Sequence, residues 1–272
     1  MPMSCSDSRA FLPEPMKRHS SPRIRALYDG IVSRAASLGF VTSEFRVGDA
    51  PGALTPARLN SILGARGIVG VIVAIAPGIA FALPLDWSRL AAVAVGFTVR
   101  EPSLHRVAPD HYHNMLALCR HLHDRGCRRI GFCVDRNSAE RTDYLWIAGL
   151  RSHQEHALAA KRINPLILDD FYSQESRSVI SNWARDQKLD AMISNHDQGK
   201  DFTSAKHPGM ANPIIFAHLD RAPDAIDGAG IDQRFSDVGA AAVDVVIGQL
   251  HRNERGVPLV PRTLLVPGRL IC

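Results

Sequence analysis

The run "PDHYHNMLALCRHLHDRGCRR", residues 109–129, sets His111, His113, His121 and His123 within one short stretch. Imidazoles serve as metal ligands, as proton-transfer groups near neutral pH, or as hydrogen-bonding contacts to a small molecule. Metal binding asks the four rings to converge. Apolar residues at helical spacing in "NMLALCRHL" make this segment a helix, which puts the second pair two turns or more, about 12 Å, beyond the first. His121 and His123, two residues apart, also leave a helix on different faces. No metal site is expected here. His111 and His113 instead stand at or just before the first turn, where free N–H groups and a partial positive charge favour a neutral ring and a polar ligand.

Further candidates follow other apolar runs of strand length. "GIVGVIVAI" (67–75), "LAAVAVGF" (90–97), "RIGFCV" (129–134), "NPLIL" (164–168), "DAMIS" (190–194) and "NPIIFA" (212–217) read as buried parallel strands. Amphipathic helices fit between them, in "PARLNSILGAR" (56–66), "HNMLALCRHLHDRG" (113–126) and "SRSVISNWARDQ" (176–187). Strand–helix–strand alternation implies parallel sheets with right-handed crossovers, and two doubly wound units account for the strand number. Such sheets bind ligands beyond the carboxyl ends of their strands. The polar loops there carry Tyr172, His196, Asp197 and Asp220. Trp146 lies on a helix candidate, and Gln233 and Phe235 follow "GAGID". Carboxylates and amides accept and donate to ligand hydroxyls, and aromatic rings cover flat ligand faces. Trp146 and Phe235 have core packing as their alternative, and the two aspartates have helix capping.

The chain excludes several classes. Signatures of a nucleophilic serine, a zinc protease helix and a phosphate-binding loop are absent, and neither "VGDAPG" (47–52) nor "DGAGID" (227–232) has dinucleotide-loop spacing. Neither enzyme activity nor a cofactor is expected. No run of 18 apolar residues predicts a membrane span, and the N-terminus lacks the apolar core of a signal peptide, so a cytoplasmic location is expected. Five cysteines, an odd number without a CxxC pair, read as free thiols. The net charge of +5 arises from scattered basic residues rather than one arm.

At this point the motifs become specific. "VAPDHYHNMLALCRHLHDRGCRRIGF" resembles the "VxxDNxxGAxxAxxHLxxxGHRRIAF" segment of the LacI/GalR transcription regulators. "YLWIAGLRSHQ" resembles their "RxxGY/WxxxL" helix, "LDAMISNHDQ" their "xDAIxxxND" and "IIFAHLD" their "VVGYDD". "GIDQRFSDVGAAAVDVVIGQL" is similar to "TIxQxxxxxGxxAVxxLLxxL", "PRTLLVPGRLIC" to the closing "xxLxVRxS", and "YDGIVSRAASLGF" to the first helix of the fold. The motifs run in order over about residues 24–272.

The resemblance implies a two-lobed, periplasmic-binding-protein-like type I effector domain. It places residues 1–126 plus 233–260 in one lobe and 127–232 plus 261–272 in the other. It further implies a small-molecule effector, with a carbohydrate as one candidate, bound in the cleft between lobes, together with a homodimer. Operator DNA would be contacted only through an N-terminal head that these residues do not include. Even the family's first strand is reduced to "RAFL" (9–12), so the expectation is a fragment or a mis-started reading frame of a longer regulator. A stand-alone binding protein of the same fold is the alternative. The site departs from the family pattern: Trp146 takes the place of a hydroxyl-binding arginine, the family's "DN" reads Asp110-His111, its "ND" reads His196-Asp197, and the first Asp of its "YDD" is Leu219.

Overall fold

Apolar β-branched runs too short for helices pair as strands, and strands buried on both faces need helices on both sides. The computed structural model of the protein describes residues 22–47, 53–74, 81–196, 213–221 and 228–272. "RAFL" and Asp197 lie outside these. The chain divides into two compact units, one up to Pro109 together with Arg234–Val266, the other Asp110–Gln233 together with Pro267–Cys272.

Unit 1 is built on a four-stranded parallel sheet in the order β1 (Gly70–Val73), β3 (Ala91–Val95), β5 (His105–Pro109), β11 (Thr263–Val266). On one face α1 (Pro22–Ser37) and α7 (Phe235–His251) set Leu27, Ile31, Val238 and Val243 against Ile72, Val93, Val95 and Val107. On the other, α2 (Pro56–Ala65) sets Leu59 and Leu63 against Val71, Val73, Ala92 and Ala94. Thr55 starts α2 by accepting the Arg58 N–H, with Pro56 as the first helical residue. A short parallel pair, β2 (Phe81–Ala82) and β4 (Val99–Glu101), stands apart from the main sheet. Helices α1 and α7 cross backbone to backbone at Gly30, where a Cβ would fall 2.0 Å from the Ser236 carbonyl oxygen.

Unit 2 holds a six-stranded sheet in the order β12 (Arg269–Ile271), β10 (Ala229–Asp232), β9 (Ile215–His218), β8 (Ala191–Ser194), β6 (Ile130–Asp135), β7 (Leu166–Leu168). Five strands are parallel and β12 joins antiparallel to β10. Helices α3 (His111–Asp124) and α5 (Leu145–His156) cover one face through Met115, Leu118, Leu122 and Leu150, packed with Phe132, Val134, Ile193 and Ile231. α6 (Gln174–Asp186) covers the other with Ile180 and Ala184 against Cys133 and Met192. α4 (Arg136–Arg141) is a short helix directly after β6. The "CRR" corner is held by Asp190, whose carboxylate accepts the Arg128 and Arg129 N–H groups at 2.8 and 2.9 Å.

All six strand runs and all three helices expected from periodicity are present, and the two-unit parallel α/β architecture is as read from the sequence. The boundaries differ. Residues 110–126 belong to unit 2, because the apolar face of α3 packs on α5 and Phe132 rather than on the sheet of unit 1. Residues 261–266 belong to unit 1, because β11 completes its sheet against β5. Gln233 ends unit 2 instead of opening a segment of unit 1. Among the described residues no helix is long and apolar enough to cross a membrane.

The α3–α5 packing rests on Gly149, where a Cβ would lie 2.6 Å from the Tyr112 carbonyl oxygen and 2.9 Å from Met115 Cβ. Gly149→Ala should therefore lower stability by about 1–3 kcal/mol despite the better helix propensity of alanine. Urea denaturation checks this, and a neutral or stabilising effect would show that the two helices separate easily.

Candidate functional site

Four strands of unit 2 end in polar residues on one edge of the sheet. β6 ends in Asp135, β8 leads into Asn195 and His196, β9 leads into Asp220, and the loop after β7 carries Phe171 and Tyr172. Asp135 also caps α4, accepting the Ser138 N–H at 2.8 Å. Its second oxygen, Oδ2, faces His196 Nε2 at 2.7 Å. The other ring nitrogen, His196 Nδ1, lies 3.2 Å from the Tyr172 hydroxyl. With Nε2 donating to the carboxylate, Nδ1 accepts the phenol O–H, so one tautomer satisfies the whole chain of bonds. Phe171 stacks on the same imidazole at 4.2 Å and 26°.

Burial alone would raise the Asp135 carboxyl pKa. Hydrogen bonds from His196 and Ser138 outweigh it, and hold the group well below the usual carboxylate range. Asn195 lies behind this pair, buried, with its amide donating to Ser138 Oγ at 3.1 Å and Oδ1 without a hydrogen-bond partner among the described residues. Tyr172 is 63% exposed, so its ring is free to cover a ligand from the solvent side. The arrangement offers a fixed acceptor, a fixed imidazole, a buried amide oxygen and an aromatic face within one unit.

The structure thus brings together His196 and Tyr172 from the sequence candidates. It adds Asp135, Asn195 and Phe171, which the sequence reading passed over. Asp135 carried a usable signal, an acidic residue at the carboxyl end of a buried parallel strand. Asp220 follows β9, half-buried, with its N–H donating to His218 Nδ1 at 3.0 Å.

The remaining candidates serve other surroundings. Trp146 opens α5 and is buried at 4% exposure, edge-on to Phe132 and to His111. Its indole N–H has no hydrogen-bond partner among the described residues. His111 is buried beside it, with ring centroids 5.0 Å apart. His113 is solvent-exposed, its Nδ1 2.8 Å from the Asp110 carboxylate that caps α3. Gln233 is 2% exposed and acts as a brace: its amide donates to the Leu219 carbonyl and its oxygen accepts from Asn114, whose own Oδ1 accepts the Gly268 N–H. Phe235 packs against the core of unit 1. The second histidine pair diverges, His121 toward Cys272 and His123 toward His153, and among the described residues no three His, Cys, Asp or Glu side chains group as metal ligands.

This is the fold of the effector-binding portion of LacI-family transcription regulators. A regulator assigned to that family from Rhizobium etli matches with a TM-score of 0.72 at 15% identity, over 98% of this chain and 97% of the other. The transcriptional regulator CelR in complex with cellobiose matches at 0.69 and 16%, over 98% of this chain and 83% of its own. The Lac repressor dimer bound to operator and the anti-inducer ONPF matches at 0.65 and 17%, over 99% and 94%. No protein-family model matches the sequence, and no curated protein matches it.

Burial drives the His111 pKa down to about 3, with Asp110 opposing weakly. The unfolded ring titrates near 6.5. As pH falls from about 6.5 toward 3, the unfolded chain takes up a proton that the folded ring refuses, so stability is lost across that window. His111→Gln should flatten the stability–pH curve there by up to one proton, about 1.4 kcal/mol per pH unit at most. Urea midpoints at several pH values check it, and an unchanged slope would mean that the ring takes up its proton inside the fold.

Proposed function

We propose that this chain is the effector-binding and dimerisation portion of a LacI/GalR-like transcription regulator, with a small hydroxyl-bearing metabolite of the carbohydrate class as its effector. The observation that carries the reading is the Asp135–His196–Tyr172 chain at the strand ends of unit 2, beside the unpartnered Asn195 oxygen. Aligned acceptors next to an exposed aromatic ring suit a polyhydroxylated ring better than an apolar ligand. The cellobiose carried by CelR and the operator-bound dimer of the Lac repressor support the class of ligand and partner.

In this reading Asp135, His196, Tyr172 and Asp220 contact the effector, with His113 at the margin. His111 and Trp146 support them from the core, Gln233 holds α3 to β10, and Phe235 belongs to the packing of α7. The chain then acts as the sensor of a cytoplasmic DNA-binding regulator rather than as a catalyst. The ligand signals only if it binds one conformation better than another, and its differential affinity sets the size of the response.

A panel of mono- and disaccharides tested by thermal shift and calorimetry should yield at least one ligand, stabilising the fold by about 2.7 kcal/mol at a hundredfold excess over its Kd. Asp135→Asn keeps the α4 cap but exchanges a charged acceptor for a neutral amide, and should weaken binding about tenfold or more. Sedimentation should give twice the chain mass. Equal affinity in Asp135→Asn would remove the site from the reading, and a monomer at all concentrations would remove the dimer.

A further inference from the structure

Unit 1 carries a groove of its own, about 530 Å³, along the end of α7 and the strands β5 and β11. Its polar lining is basic: His105 and Arg106 from β5, Arg252 at the end of α7 and Arg262 before β11, with Asp244 as the one carboxylate. That carboxylate is already taken, since Arg34 Nε holds it at 2.7 Å. Arg252 holds Glu254 with Nε and Nη2 at 2.8 and 2.9 Å. Its remaining nitrogen, Nη1, lies 3.1 Å from where a Cβ on Gly248 would stand, so the missing side chain keeps that part of the groove open.

The Arg262 guanidinium makes no hydrogen bond or ion pair among the described residues, while its backbone N–H donates to His105 Nδ1 at 3.0 Å. His105 therefore carries its proton on Nε2, as a donor. Burial and the charges of Arg262 and Arg252 lower its pKa, with Glu254 opposing, as expected for a ring in a positive field. Arg106 is locked in place, donating to the Gly96 and Val99 carbonyls with its guanidinium 5.3 Å over the Phe97 ring. Val245 and Leu264 supply an apolar wall beside these groups.

We propose that this groove is a second ligand site, specific for a phosphate monoester whose phosphoryl group meets Arg262, Arg252 Nη1 and His105 Nε2 while its apolar body lies on Val245 and Leu264. A dianion with three terminal oxygens can accept from more of the N–H donors that line the groove than a carboxylate with two. An apolar wall adds binding for the ester that bare phosphate lacks. The site stands on unit 1 alone and is independent of the carbohydrate reading.

The test is titration of the whole chain with phenyl phosphate, inorganic phosphate and acetate at constant ionic strength, followed by NMR of the His105 ring and by calorimetry. Phenyl phosphate should bind saturably, at least tenfold more tightly than acetate and several-fold more tightly than inorganic phosphate. Arg262→Gln should cost at least tenfold, whereas Arg58→Gln on the exposed side of α2 should leave the affinity unchanged. No saturable shift at His105, or equal affinity in Arg262→Gln, overturns the site. Inorganic phosphate binding as tightly as phenyl phosphate overturns the assignment to an ester.

Discussion

A strand in the middle of a parallel sheet leaves no face to water, and that constraint organises this molecule. The strands β1, β3, β6 and β8 are buried on both sides, so each sheet must carry helices above and below. A helix that returns the chain to the start of the next parallel strand runs antiparallel to it, so strand ends and helix beginnings gather on one edge. Apolar residues fill the layers between, which leaves the polar residues of the loops on that edge as the chemistry the fold can present.

On unit 2 the edge is ordered rather than merely polar. Asp135 answers two demands with its two oxygens: one ends the strand by capping α4, the other fixes the His196 ring. Phe171 and Tyr172 then hold that ring from its face and its far nitrogen. The histidine is pre-set before any ligand arrives, so little side-chain freedom remains to be lost on binding. The buried Asn114–Gln233–Gly268 chain does comparable work in the frame, joining α3, β10 and the approach to β12 through amide nitrogens and oxygens that each have a partner. Buried amides with every partner in place specify an arrangement, whereas half-matched ones weaken it.

On unit 1 the basic groove follows from a different economy of groups. Asp244 and Glu254 neutralise Arg34 and Arg252, but Arg262 stays uncommitted where β11 begins. β11 reaches that position only because it closes the sheet of unit 1 from the far end of the chain, next to β5. Residues more than 150 positions apart thereby share one wall.

Apolar runs and helical periodicity were enough to read the class of fold and six of the twelve strands of the described residues, because burial on both faces of a strand and period-3.6 burial of a helix are written locally in the residues. The ordered run of family-like motifs added the two-unit plan. Loop candidates such as His196 and Tyr172 were legible because strand ends are where parallel sheets expose polar groups. Neither the partnership of His196 with Asp135, 61 residues away, nor the stacking of Phe171 could be read that way, since both depend on which strands become neighbours in the sheet. The same holds for Trp146 and His111, whose side chains turn into the core because α3 and α5 pack at Gly149. The assignment of α3 to unit 2 and of β11 to unit 1 was settled by long-range packing, a property of apolar faces meeting in space that no local pattern records.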